Sequence, residues 1–168
     1  TNAGTLTPTY TPTAGETGDV VLSLNVTGLS TCSPVADQVI IHILPMVTAT
    51  AGADHAVCQN STYQVMDAVA DHYSSVMWTT TGTGTLTDET TLSPTYQPGV
   101  GETGSVTLTL TANGNLPCGN AVSQLTLTVN PPANAHAGTT DVICEGSTYT
   151  LSGATAANEA SLLWTRSG

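Results

Sequence analysis

The sequence is almost without positive charge. Its 168 residues hold one Lys or Arg, Arg166, against twelve Asp and Glu, for a formal charge of −11. Such a surface repels phosphate backbones and acidic lipid head groups, which argues against nucleic-acid binding and electrostatic membrane attachment. Charged residues of either sign make up only 8%, Phe is absent and aromatics stand at 4%. So little charge suits a threonine-rich sheet surface better than a disordered chain, and so few aromatics leave little from which to build a sugar-stacking platform. No apolar run approaches the roughly 18 residues of a membrane-spanning helix. Direct membrane insertion is not expected, and any leader or anchor is expected outside this sequence. No Ser-His-Asp set, paired carboxylate motif or glycine-rich phosphate loop occurs, so nothing supports an enzyme.

What the sequence does have is itself, twice. Cys58 and Cys144 stand 86 positions apart (144 − 58), and the same offset relates Tyr63 to Tyr149, Trp78 to Trp164, Gly82 to Gly168, Cys32 to Cys118, Tyr10 to Tyr96 and Gln38 to Gln124. Pro8-Thr9-Tyr10-Thr11-Pro12 returns as Pro94-Thr95-Tyr96-Gln97-Pro98, and Gly15-Glu16-Thr17-Gly18 returns unchanged at 101–104. A fixed period without gaps is the mark of a stacked array. One repeat spans 47–132, residues 1–46 are the back of the preceding repeat, and 133–168 are the front of the following one. By the offset, only the equivalents of Thr83, Gly84, Thr85 and Leu86 separate the two partial repeats from one more whole repeat.

Alternation decides the secondary structure. Val106, Leu108, Leu110 and Ala112 fall on one strand face with Thr107, Thr109 and Thr111 on the other, and Leu125–Val129 alternates likewise. Ala112-Asn113-Gly114-Asn115 reads as the turn of a hairpin between them. Ser61–Val65 and Ser75–Thr80 read as further strands, with Tyr63 and Trp78 as core side chains and Tyr149 and Trp164 as their counterparts. Residues 66–71 are read as a loop, since the matching 152–157 carry Gly153 and no helical stripe. Prolines at Leu44-Pro45-Met46 and Asn130-Pro131-Pro132 end the last strands and stiffen the junctions. The expected fold is therefore all-β: tandem immunoglobulin-like sandwich repeats of 86-residue period, joined as a semi-rigid rod.

Cys32, Cys58, Cys118 and Cys144 form two repeat-locked classes with no CxxC pair, which favours disulfides in an oxidising compartment over zinc. Three pairings compete: Cys58 with Cys118; Cys32 with Cys58 and Cys118 with Cys144; or the corner after the first strand of one repeat with the last hairpin of the next, which joins no two cysteines of this sequence. In a seven-strand sandwich those two corners lie at opposite ends, roughly 20 Å or more apart for strands of six residues. Bridged Cα atoms must lie within about 7 Å, so the first scheme is disfavoured and the inter-repeat staple is slightly preferred.

The histidines, His42, His55, His72 and His136, do not recur at the offset, as a site built into every repeat would require. Zinc is not expected at His55 and Cys58, because Asp141 replaces His55 in the next repeat. Asp67, Asp71, Asp88 and Glu89 could gather calcium, but Asp67 and Asp71 become Gly153 and Ala157, so no cofactor is expected. The preceding repeat departs from its successor on one face: Val21, Ile40, His42 and Leu44 replace Thr107, Thr126, Thr128 and Asn130. Aliphatics where threonine should meet water mark a contact surface.

Ile143-Cys144-Glu145-Gly146-Ser147-Thr148-Tyr149, Leu162-Leu163-Trp164-Thr165, Pro94-Thr95-Tyr96 and Pro117-Cys118-Gly119 resemble the PKD-like and Ig-like repeats of very large Bacteroidetes cell-surface proteins, among them the giant gliding-motility adhesins exported by type IX secretion. The resemblance covers essentially the whole chain. It implies an array on the outer cell surface and supplies no catalytic residues. The expected function is an extracellular, cell-surface filament or adhesin segment giving reach, stiffness and attachment. Its partners would be neighbouring repeats, other copies in a filament, or an extracellular surface or polysaccharide. The alternatives are a spacer or carbohydrate-binding module of a secreted polysaccharide-degrading enzyme, and a self-assembling coat or fibre protein.

Overall fold

The computed structural model describes residues 2–168. Among these there is no helix, and the elements are thirteen short strands in several small, mostly antiparallel sheets. β1 (Gly18–Val26) and β2 (Val35–Ile43) form a hairpin with no third strand on either edge. β3 (Thr48–Thr50) pairs with β6 (Val69–Asp71). β4 (His55–Cys58), β7 (Tyr73–Thr80), β10 (Gly104–Gly114) and β11 (Ala121–Asn130) make a four-stranded sheet of order β4-β11-β10-β7, with β4 parallel to β11. β5 (Tyr63–Gln64), β8 (Thr85–Thr87) and β9 (Thr95–Gln97) make a three-stranded sheet of order β5-β9-β8. β12 (Asn134–His136) pairs with β13 (Thr155–Ala157).

A single core lies between Val47 and Val129. The alternation predicted for β10 and β11 is what fills it: Val106, Leu108, Leu110, Ala112, Leu125, Leu127 and Val129 are buried, while Thr107, Thr109 and Thr111 stay partly exposed. Across from them pack Val65 and Tyr96 from the β5-β9-β8 side. Trp78 of β7 is 2% exposed and donates its indole N–H to the Thr91 carbonyl at 3.0 Å, so its one polar atom is satisfied where the ring is buried.

Several expectations are corrected. The β10–β11 turn begins at Asn115, because the strand runs on through Asn113 and Gly114, where the pairing with β7 shifts register. Residues 69–71, expected in a loop, form β6. Tyr63 is half-buried against the core rather than enclosed, tilted onto the His55 ring at 5.1 Å. Tyr149 and Trp164 are not core side chains: Trp164 is 59% exposed, since no partner of the β10–β11 kind packs over residues 133–168.

The four cysteines are free, so neither of the two pairings that would join cysteines within this sequence is formed. Topology supplies the reason for one pair. Cys58 sits opposite Asn130 at the far end of β11, whereas Cys118 precedes the start of that strand. At about 3.3 Å per residue, nine residues of β11 set the two some 30 Å apart. Cys118 lies instead at the other junction, its thiol 3.9 Å from the Pro45 carbonyl.

Candidate interaction surface

The β1–β2 hairpin is apolar on one face and mixed on the other, where Val21 and Ile40 stand among Asp19, Ser23, Gln38 and His42. In its register Val21 stands opposite Ile40 and Asp19 opposite His42. Strand alternation therefore puts these four on one face, and Val20, Leu22 and Leu24 with Val39, Ile41 and Ile43 on the other. Val21, Ile40 and Leu44 are each about half exposed, as is the face they were expected to mark. His42 does not stand free: its Nδ1 meets Asp19 Oδ1 at 2.5 Å, an exposed pair whose worth in water is small. Leu44 lies beyond β2 and belongs to the junction, where Leu44, Pro45, His72, Asn115 and Cys118 line a shallow hollow.

The acidic loops do not assemble a metal centre. Among the described residues no group of three or more His, Cys, Asp or Glu is placed to hold an ion. Asp67 is occupied with the backbone, accepting from the Ala53 N–H at 2.8 Å. Asp54 likewise accepts from Thr126 N–H at 2.7 Å, tying the approach to β4 onto β11. These carboxylates take up backbone donors, one in the loop before β4 and one on β11 just before its ladder with β4 begins.

A network that composition and spacing left unread centres on Glu102. Its Oε2 accepts from the Tyr96 hydroxyl at 2.7 Å and from Gly99 N–H at 2.8 Å, and its Oε1 accepts from Thr83 N–H at 2.6 Å. The Tyr96 oxygen in turn accepts from Gly84 N–H at 3.0 Å. Burial works to raise the Glu102 pKa, but the hydrogen bonds from Gly99, Tyr96 and Thr83 outweigh it and hold the carboxyl below its ordinary value. Burial, then the bond to Glu102, pushes the Tyr96 hydroxyl up. The loop between β7 and β8 must come this close: a Cβ at Gly84 would meet the Gln97 carbonyl oxygen at 2.1 Å, and one at Gly82 would meet the Tyr96 oxygen at 1.9 Å. The signal was present in the recurrence of Tyr10 with Glu16, Tyr96 with Glu102, and Gly82 with Gly168. In the first hairpin segment Tyr10 also donates to Glu16, which accepts from Thr13 N–H at 2.8 Å.

No family model matches this sequence, and no curated protein is significantly similar to it. What the surface presents is an exposed apolar hairpin face, loop carboxylates hydrogen-bonded to backbone, and free thiols.

Proposed function

We propose that the chain is a non-enzymatic stretch of an extracellular array, built of Ig-like sandwich repeats of 86-residue period (144 − 58) over 1–46, 47–132 and 133–168, and that its role is reach, stiffness and attachment at a cell surface. The observation that carries this reading is the recurrence of backbone along with sequence. β12 and β13 begin and end 86 positions after β3 and β6 (134 − 48 and 155 − 69), and β10 and β11 begin 86 positions after β1 and β2 (104 − 18 and 121 − 35). All four pairings keep the same register at this offset as well. The β5-β9-β8 strands, facing the β4-β11-β10-β7 sheet across one core, support a two-layer repeat. Low charge, threonine-rich outer faces and proline at each junction suit a rod in water.

The rival reading, a sugar-binding module, would need an aromatic platform on a sheet face; Trp78 and Tyr96 are buried, and the exposed Tyr149 and Trp164 belong to no strand. Antibodies raised to this chain should label intact producing cells, and protease treatment of those cells should strip the label. Labelling only after lysis would refute the surface assignment.

A further inference from the structure

We infer that the joint between residues 2–46 and 47–132 is a pH-sensitive hinge: protonation of His72 fastens the corner after β6 to the preceding segment, and deprotonation releases it. The chain has two equivalent joints, at 44–47 and 130–133, and the corners beside them recur 86 positions apart (158 − 72). Sheet register sets each corner on its linker. β3 starts right after the first linker and pairs with β6, Thr48 opposite Asp71, so His72 continues that ladder toward Val47 and Met46. β12 pairs with β13 in the same way, Asn134 opposite Ala157, so Asn158 continues toward Ala133 and Pro132. Both corner residues hold a left-handed backbone, φ 59° in each, which Asn and His tolerate better than most side chains. At the second joint, where the segment before it carries the whole core, the corner is fastened: the Asn158 side-chain amide donates to the Pro132 carbonyl at 3.1 Å.

The first joint has a titratable ring where the second has an amide. His72 lines a crevice with Thr13, Glu16 and Ile43 on the wall of the preceding segment and Thr48 and Asp71 on its own. The charged groups facing it there are two carboxylates, Glu16 and Asp71. The bonds from Tyr10 and Thr13 hold Glu16 below its ordinary pKa, so it stays anionic throughout the range, about pH 5 to 8, in which a histidine changes charge. On its other side His72 shares a shallow hollow with Asn115 and Cys118, which bring no cation. His42 of β2 is paired with Asp19 and lines neither hollow. A protonated His72 is thus the cation of a joint walled by carboxylates. An exposed ion pair shifts an equilibrium by no more than about fivefold. That is small against a folded core, but large enough to reset how two segments sit when only Leu44, Pro45 and Met46 link them.

The test follows the full chain by pulsed dipolar spectroscopy, with nitroxides on the exposed Cys32 and Cys58 and with Cys118→Ser and Cys144→Ser to leave those two thiols alone. The distance distribution should narrow as the pH falls from about 8 to about 5.5, with a midpoint that tracks the His72 ring signal in NMR. His72→Asn suits the same left-handed corner and should remove the pH response without unfolding the chain. Glu16→Gln should remove most of it, and His42→Gln should leave it intact. None of these outcomes bears on the cell-surface assignment, which antibody labelling tests separately. A width that does not change with pH, a narrowing that survives His72→Asn or Glu16→Gln, or a response lost with His42→Gln overturns the proposal.

Discussion

The β1–β2 and β10–β11 hairpins share a pattern and a register but not an environment. Gly18 pairs with Ile43 as Gly104 pairs with Val129, and the pairing continues in step to Val26 with Val35 and Ala112 with Ala121. Yet Leu24 is 51% exposed where Leu110 is sealed at 0%, and Val39 is 56% exposed where Leu125 is at 1%. Hairpin register is set by alternation and turn, information within some 25 residues of chain. Burial is set by what comes to lie on top, and only β10–β11 has Val65 and Tyr96 packed over it, with β7 and β4 completing its sheet on either side.

The two tryptophans give that comparison its sharpest edge. Trp78→Ala should destabilise the 47–132 segment by about 3–5 kcal/mol in denaturant unfolding, because the ring leaves a cavity and the Thr91 carbonyl loses its donor. Trp164→Ala should change that transition by no more than about 0.5 kcal/mol in the monomeric chain, as exposed side chains do. Quenching should follow the same split, with Trp164 fluorescence open to acrylamide and Trp78 protected. Equal costs for the two substitutions would mean that residues 133–168 are covered.

Glu102 and Glu16 form a second contrasted pair. Glu102→Gln keeps the shape but loses the charge that gathers Tyr96, Gly99 and Thr83, and should cost about 1–3 kcal/mol. Glu16→Gln should leave the global transition nearly unchanged, because its loop is exposed and covers no core. Since the folded Glu102 carboxyl lies below its ordinary value of 4.5, its contribution is present above that value and fades as the pH falls through the folded-state pKa. Thermal melts of the wild type should therefore lose stability below about pH 4, and the Glu102→Gln variant should lose less over the same range. Identical acid profiles would remove Glu102 from the account.

Much of this was legible in the sequence, for a physical reason that also fixes where legibility ended. Strict alternation in Val106–Ala112 and Leu125–Val129 names a strand and its buried face at once, and Trp78 was rightly placed in the core. The turn was misjudged because Asn113-Gly114 is a strong turn signal that β7, pairing alongside, overrides by extending the ladder. Trp164 was misplaced because equivalence of sequence was taken for equivalence of surroundings. The Tyr96–Glu102 tie went unread because a tyrosine and a glutamate six positions apart signal nothing until the Gly82–Gly84 loop folds onto them. The cysteines show the same limit: opposite ends for Cys58 and Cys118 followed from strand count alone, whereas the bonding state did not.

The smallest expected effect tests the face on which the hairpins differ most. Val21 and Ile40 occupy the places of Thr107 and Thr126, so Val21→Thr with Ile40→Thr rewrites the β1–β2 outer face in the style of β10–β11. Both replacements keep a β-branched side chain, which preserves the strand preference of the backbone. Both positions are half exposed already, so little packing is lost, and the unfolding transition should move by less than about 0.5 kcal/mol. Exposed aliphatic area should fall, and with it retention on a hydrophobic-interaction column and adsorption to apolar surfaces. Leu24 and Ile43 belong to the opposite face and are untouched. The apolar area of that opposite face should therefore remain while the adsorption contributed by Val21 and Ile40 drops. If adsorption does not fall at all, Val21 and Ile40 are not on the exposed face, and the two faces of the hairpin have been assigned the wrong way round.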